Sequence, residues 1–399
     1  MNFTTHARRR GSIKGGIFLA LFSLPFAAVG VGMTVWLWRD VMLSREIKNQ
    51  WRPVPAVVKD VELERHRGSK GGTTYETTVT YAYTFEGRTY ESSRLGLSGG
   101  ADNIGDYQQK LYAELSHSRE TERPVECRVN PADPTQAVLR PDWRPEMGLF
   151  HAVFGLVFGA VGLGLFSGCV AGAISGLRTA PLKRRHPQEP WLWRSEWQSP
   201  VLLAPLGRKL VVATAVLAWV HIVTAPLWSA LPASWATGGA FKWVLSGMLL
   251  LVLVVSGFCV RTILHARKYR GARVEFDALP LRPGGLCNAR LYLPQTISLG
   301  ATLELALVCS HSVTTGRGKQ RTTNTTKIWT HHETVTGLIG PQQAIPFSCR
   351  LPESVPVTTL DYPNDVHTWT FEATADVPGV DLNLKFEVPV FATGARQTS

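Results

Sequence analysis

The stretch LFHAVFGLVFGAVGLGLFSGCVAGAISGL, residues 149–177, decides how the rest of the chain is read. It contains no Asp, Glu, Lys or Arg. A helix rises about 1.5 Å per residue, so roughly 20 apolar residues cross the hydrocarbon of a bilayer. Three more runs meet that length without a charge: Gly15–Trp38, Leu210–Leu231 and Trp243–Val260. A core helix of a soluble domain rarely runs so far uninterrupted. The sequence therefore predicts an integral membrane protein with four transmembrane α-helices.

The chain has 399 residues, 45% of them hydrophobic and 18% charged, with a formal net charge of +12. That is too apolar for a disordered chain. The basic excess invites a nucleic-acid reading until it is placed. It lies beside the apolar runs, at Arg8, Arg9, Arg10 and Lys14, at Arg178, Lys183, Arg184, Arg185, Arg194, Arg208 and Lys209, and at Arg261, Arg267, Lys268 and Arg270. Residues 39–147 and 271–399 are close to neutral. The partner implied is a lipid bilayer, with no nucleic acid.

These basic segments fall on one side if the chain crosses four times. The positive-inside rule then puts both termini in the cytoplasm of a bacterial inner membrane. The expected order is a cytoplasmic N-terminus (1–14), span 15–38, an extracytoplasmic β-rich domain (39–148) and span 149–177. A basic, Trp- and Pro-rich cytoplasmic loop (178–209) follows, then span 210–231, a short outer loop (232–242), span 243–260 and a cytoplasmic domain (271–399). The loop 178–209 is expected to lie along the membrane surface instead of forming a domain. Trp36, Trp38, Trp228, Trp235 and Trp243 sit at outer helix ends, where amphipathic rings prefer the headgroup zone, and Trp191, Trp193 and Trp197 lie in the inner loop. The first run is longer than a signal-peptide core and ends in Trp36 and Trp38, so it reads as an uncleaved anchor.

Residues 51–142 read as a small β domain with one helix. Tyr75, Thr77, Val79, Tyr81, Tyr83 and Phe85 alternate with the period of a half-buried strand, Glu86-Gly87 turns it, and Thr89–Arg94 returns. Val54–Leu63 is an earlier strand, Ile104–Leu115 has one helical face, and Val125–Val129 and Ala137–Leu139 are short strands. Trp51, Ala56 and Val58, then Tyr81-x-Tyr83-x-Phe85-x-Gly87-x-x-Tyr90, then Val129-Asn-Pro-x-Asp-Pro134 carry a resemblance. Over about 25–177 the chain resembles the bacterial membrane family known as domain of unknown function 3592. The resemblance implies a β-rich insert between a first and a second span, and no activity.

Residues 271–399 read as an all-β sandwich. Expected strands are Arg273–Phe276, Ala289–Leu293, Leu303–His311, Lys327–Val335, Ile345–Leu351, Thr368–Ala375 and Leu382–Phe391. The spacing of Ile345-Pro-Phe…Leu-Pro352 against Trp369 and Phe386-x-Val-Pro-Val-Phe391 is weakly similar to arrestin-like sandwiches, and another immunoglobulin-like sandwich fits as well.

Candidate chemistry is sparse. Cys127, Cys169, Cys259, Cys287, Cys309 and Cys349 form no Cys-x-x-Cys and read as apolar filler. His331-His332-Glu333 with His311 could be drawn as a metal cluster, but adjacent strand residues point to opposite faces. Asp361, Asp365 and His367 read as solvated loop residues, so no metal, cofactor or catalytic residue is expected. His221 is a possible intramembrane polar site, for which a neutral imidazole bonded across helices near Pro226 is the plainer reading. Gly155, Gly159, Gly164, Gly168, Gly172 and Gly176, with Ala160, suggest a helix-packing groove, read first as contact among the four spans and second as a homo-oligomer contact. Gly316, Arg317, Gly318, Lys319 and Arg321 form a basic hairpin tip. The function expected is a non-catalytic, membrane-tethered interaction or scaffold module whose C-terminal domain holds a protein partner. The alternative is part of an oligomeric transporter or channel using His221 and the glycine face, and a membrane-bound hydrolase ranks third.

Overall fold

The structure, a computed structural model, describes residues 13–68, 71–296, 302–316, 320–360 and 364–392. Four helices in it are long and apolar enough to cross a membrane: α1 (Ile13–Gln50), α3 (Pro145–Arg185), α4 (Leu206–Thr237) and α5 (Phe241–Lys268). In the most apolar window of each, only 11 to 28% of residues are buried. Each helix overruns the apolar run that announced it. Past Trp38, α1 keeps Asp40, Val41, Ser44 and Ile47 buried along the face of Leu37, spacing that holds the helix together after the apolar run ends. Helix α3 opens on Pro145, whose missing N–H has no partner to lose at a helix start, and closes on Lys183, Arg184 and Arg185 at its negative dipole end.

The outer loop expected over 232–242 shrinks to the turn between α4 and α5. Gly238 and Gly239 both take φ near +80°, at 77° and 79°, which lets the chain reverse in so few residues. Pro232 stays inside the helix, and Ser234 Oγ donates to the Leu231 carbonyl at 2.7 Å.

The chain divides into two compact units, one made of residues 23–164 and 219–252, the other of 1–22, 165–218 and 253–399. The first holds the β-rich insert: β1 (Arg52–Arg67), β2 (Thr73–Phe85), β3 (Arg88–Ser92), α2 (Tyr107–Glu120), β4 (Val125–Val129) and β5 (Ala137–Val138). Its antiparallel sheet runs β3-β2-β1-β4-β5. On β2, Val79, Tyr81, Tyr83 and Phe85 are all buried, as alternation requires. On β1 the buried positions are Val54, Ala56 and Val58 and then Val61, because a bulge between Val58 and Asp60 switches the parity. Leu111 and Leu115 of α2 close that core.

The second unit holds a two-sheet sandwich. One sheet runs β10-β9-β12-β13, from β9 (Thr302–Thr315), β10 (Thr322–Thr336), β12 (Asp365–Ala375) and β13 (Leu382–Val388). The other runs β11-β8-β7-β6, from β6 (Val201–Leu203), β7 (Arg273–Phe276), β8 (Leu286–Tyr292) and β11 (Ile345–Arg350). All seven strands expected in 271–399 are present. The eighth, β6, comes from the segment 178–209, which therefore contributes to a domain, contrary to expectation. It covers the free edge of β7, pairing Val201–Leu203 with Arg273–Glu275, and Trp197 buries its ring in the core. An uncovered strand edge leaves backbone groups unpaired, and β6, held by Trp197 just ahead of it, relieves this one.

Candidate functional site

The glycines of α3 split into two sets. Gly155, Gly159 and Gly162 are buried against neighbours in their own unit. A Cβ at Gly159 would enter the Trp219 ring, and one at Gly162 would enter the Ala27 backbone. Gly30, which the sequence reading passed over, is the partner that crosses Gly159 backbone to backbone. Gly164, Gly168, Gly172 and Gly176 have open space where a Cβ would stand. For Gly164 the phase explains it: at about 100° per residue it is roughly 180° round the helix from Gly155, whereas Gly162 stays near the face of Gly155 and Gly159. Six glycines thus do not make one groove, and the missing member is Gly162, not Ala160.

The helices also position several polar and aromatic side chains. His221 is exposed on α4, roughly 200° round from Trp219, which packs at Gly159. Trp38 is more than an anchor. Pro226 has no N–H, which frees the Ile222 carbonyl, and Trp38 Nε1 donates to it at 2.8 Å. Trp228 packs half-buried on the helix core, while Trp36, Trp235 and Trp243 remain exposed. Trp235 and Trp243 stand 5.1 Å apart with Lys242 over both rings, and Trp235 Nε1 donates to Ser246 Oγ at 3.2 Å. A polar cluster missed by the sequence reading joins α1 to α3 and the insert: Ser98 Oγ donates to buried Asp40 at 3.1 Å, and the exposed Trp36 ring stacks on buried His151 at 5.4 Å. Asp40 lies two residues beyond the apolar run that ends at Trp38.

In the insert, Asp102 and Arg144 form a two-pronged ion pair at 2.8 and 3.2 Å, with side chains only 11% and 18% exposed. Gln108 Nε2 donates to Asp102 at 2.9 Å, and the Arg144 guanidinium sits 3.8 Å over the Tyr107 ring. Burial works to raise the Asp102 pKa, but the bonds from Arg144, Gln108 and the Ile104 N–H outweigh it and hold the carboxyl below the usual carboxylate range. A cleft of 390 Å³ opens beside this pair, lined by Tyr107, Lys110, Glu114 and Arg140. Along it Lys110 pairs with Asp106 and Arg140 with Glu114.

The sandwich regroups the histidines. His331 faces the core side beside Trp329 and Phe347, while His332 points to the other face and is exposed, as strand geometry requires. His331 pairs in register with Leu307, which takes it away from His311. His311 instead stands opposite His367 on β12. Asp365 and His367 are strand residues, not loop residues, and Asp361 lies outside the described residues. Arg317, Gly318 and Lys319 of the basic tip lie outside them too. Among the described residues, the ligand atoms of His311, Asp365 and His367 fall within 4.8 Å of one another. Cys127, Cys259, Cys287, Cys309 and Cys349 are buried, and Cys287 and Cys349 face each other across β8 and β11. Burial pushes the Cys127 thiol up to about 11 and Cys309 up to about 12.

Comparison with known proteins agrees with the insert. No curated protein sequence matches the chain. Among solved structures, the sporulation control protein Spo0M from Bacillus subtilis aligns at 16% identity with a TM-score of 0.23, over 30% of this chain. The chain spans about half (48%) of the length of that protein, and nothing of its role passes to this chain at such a score. Residues 54–144 match the family described as Domain of unknown function (DUF3592), a stretch that begins in β1, ends on Arg144, and lies inside the region whose motifs resemble that family.

Proposed function

We propose that the chain is a non-catalytic, multi-pass protein of the bacterial inner membrane that tethers an interaction module to the cytoplasmic face. Four helices span the bilayer, the insert faces the periplasm, and both termini and the sandwich face the cytoplasm. Two features support this topology: the exposed apolar surface of the four helices, and the basic clusters on the flanks that an even number of crossings puts on one side.

The observation that carries the interaction reading is the free edge of β10. It runs fifteen residues, Thr322–Thr336, at the margin of its sheet and pairs only with β9 among the described residues. Natural edges of that length are usually shortened, charged or covered. This one is Thr-rich, with Ile328 exposed and only Lys327 and Glu333 charged. Such an edge suits an added strand from a partner, with backbone bonds for affinity and alternate side chains for selectivity.

The test uses the full chain in its native membrane. A photo-crosslinking residue at Ile328 should yield one discrete protein adduct that Thr330→Pro removes, while the same residue at Leu286, exposed on the other sheet, yields none. Equal labelling at both positions, or none at either, sinks the interaction reading. Reporter fusions at residues 100, 236 and 399 test the topology separately, and activity of the 399 fusion on the periplasmic side overturns it.

A further inference from the structure

We propose that His311, His367 and Asp365 form a binding site for a divalent transition-metal ion of the zinc type, at the open end of the sandwich. The site is independent of the interaction reading and uses different atoms from the β10 edge.

The backbone brings the three donors together. His311 on β9 and His367 on β12 are register partners on neighbouring antiparallel strands, and Asp365 precedes His367 by two residues, so all three share one face. That face is the core side. Its β9 column reads Leu303, Leu305, Leu307 and Cys309 before His311, and its β12 column reads Phe371 and Trp369 before His367 and Asp365. Beyond Cys309 and Trp369, both columns change from apolar filler to metal-ligating groups in the same register row. Packing alone gives no reason for this. Putting imidazoles on a core-facing column costs desolvation that aliphatic side chains would avoid.

The local contacts prepare the set. His311 Nε2 and Asp365 Oδ1 are 2.7 Å apart, and the two imidazole rings lie parallel at 4.3 Å. Thr359 Oγ1 lies 3.4 Å from His367 Nδ1, a contact of the kind that orients a ligating ring and leaves its other nitrogen for the ion. Around a tetrahedral ion with bonds of about 2.0–2.1 Å donors stand roughly 3.3 Å apart, so donors up to 4.8 Å apart close in while the 2.7 Å His311–Asp365 pair opens slightly. That adjustment is a rotation of half-exposed side-chain ends on strands already in place, and it also breaks the parallel stacking of the rings.

Two imidazole nitrogens and one carboxylate select zinc and its neighbours over Mg2+ or Ca2+, which prefer oxygen sets. Three protein ligands leave a position open, and because Asp365 is exposed, water reaches it. The ion would clamp the first residues of β12 to β9.

The experiment takes the purified full chain in detergent, stripped with a chelator, and titrates ZnCl2 and MgCl2 by calorimetry. One zinc per chain is expected at the site, with no magnesium heat. Asp365→Asn, nearly isosteric, and His311→Gln should each weaken that zinc step at least tenfold, with unfolding in chelator unchanged from the parent. His331→Ala should leave it intact. Zinc should also raise the melting temperature of the parent and not of Asp365→Asn, as binding to the folded state alone requires. Zinc binding unaffected by Asp365→Asn and His311→Gln, or lost equally with His331→Ala, overturns the proposal, and so does no binding at all by a parent that unfolds cooperatively.

Discussion

The insert and the sandwich are both β-rich, and each recruits side chains from the flank of a long helix, but they seal themselves by different physics. The insert uses charge. Arg144, the residue before α3, reaches Asp102 in a two-pronged pair and covers the Tyr107 ring. The sandwich uses aromatic area. Trp369 is fully buried and its Nε1 donates to the Pro356 carbonyl at 2.9 Å, while Trp197 arrives from the segment before β6 and donates to the Glu387 carbonyl at 3.1 Å. A large ring with one satisfied N–H gains by area and is indifferent to acid. A buried ion pair contributes little over an apolar isostere, yet removing one member strands the other charge. The two regions should therefore fail in different ways.

The largest effect is expected from Trp369→Ala, which should cost about 4 kcal/mol by emptying the centre of the sandwich. Amide exchange should accelerate in β9, β12 and β13 and leave β1 and β2 of the insert unchanged; simultaneous loosening of both regions breaks the comparison. Next comes Arg144→Ala, expected to cost roughly 3 kcal/mol because Asp102 is left buried without its partner. Here the exchange change belongs to β2 and α2. Asp102→Asn combined with Arg144→Met should recover much of that loss, whereas no double replacement restores Trp369→Ala short of another large ring.

Acid should separate the regions more gently. The Asp102 pKa is lowered in the fold from its ordinary value of 3.8, so its contribution is complete at neutral pH. It begins to fade as pH drops past that ordinary value and is lost as pH falls through the lower folded value. Exchange of Thr77, whose N–H donates to Gln108 Oε1 at 3.1 Å, should rise in that window in the parent and lose the dependence in Asp102→Asn. A parent whose insert keeps full protection well below the usual carboxylate range would show that the pair does not seal it.

Which of these seals the sequence exposed follows from their range along the chain. Tyr81, Tyr83 and Phe85 declare themselves by period-2 alternation within one strand, and the four helices do so by uninterrupted apolar length. The expected strands were legible for the same reason. Asp102 with Arg144 was not, because a loop aspartate and an arginine before a helix look solvated until the sheet folds between them. The Trp197–Glu387 contact spans most of the C-terminal half of the chain, so Trp197 looked like a membrane anchor. His311 and His367 became partners only through the β9–β12 register. The glycine phase along α3 was legible in principle, since Gly162 and Gly164 differ by a rotation that can be counted. The close approach of Gly30 was not, because it depends on which helix lies alongside.

The smallest test isolates one bond of the aromatic seal. Trp197→Phe keeps an aromatic ring in the pocket but removes the Nε1–H that serves the Glu387 carbonyl. Arg194 stacks on the same ring at 4.3 Å and pairs with Glu387 at 2.6 Å, so the strand end remains tethered. With the carbonyl left unserved and a somewhat smaller ring in place, the loss should be about 1 kcal/mol, confined to exchange at β13 and β6. Adding Arg194→Ala should then cost more than the separate losses combined, since ring, guanidinium and carboxylate act on one strand end. Strict additivity would mean that Trp197 and Arg194 hold β13 independently, and that the sandwich is sealed by area alone.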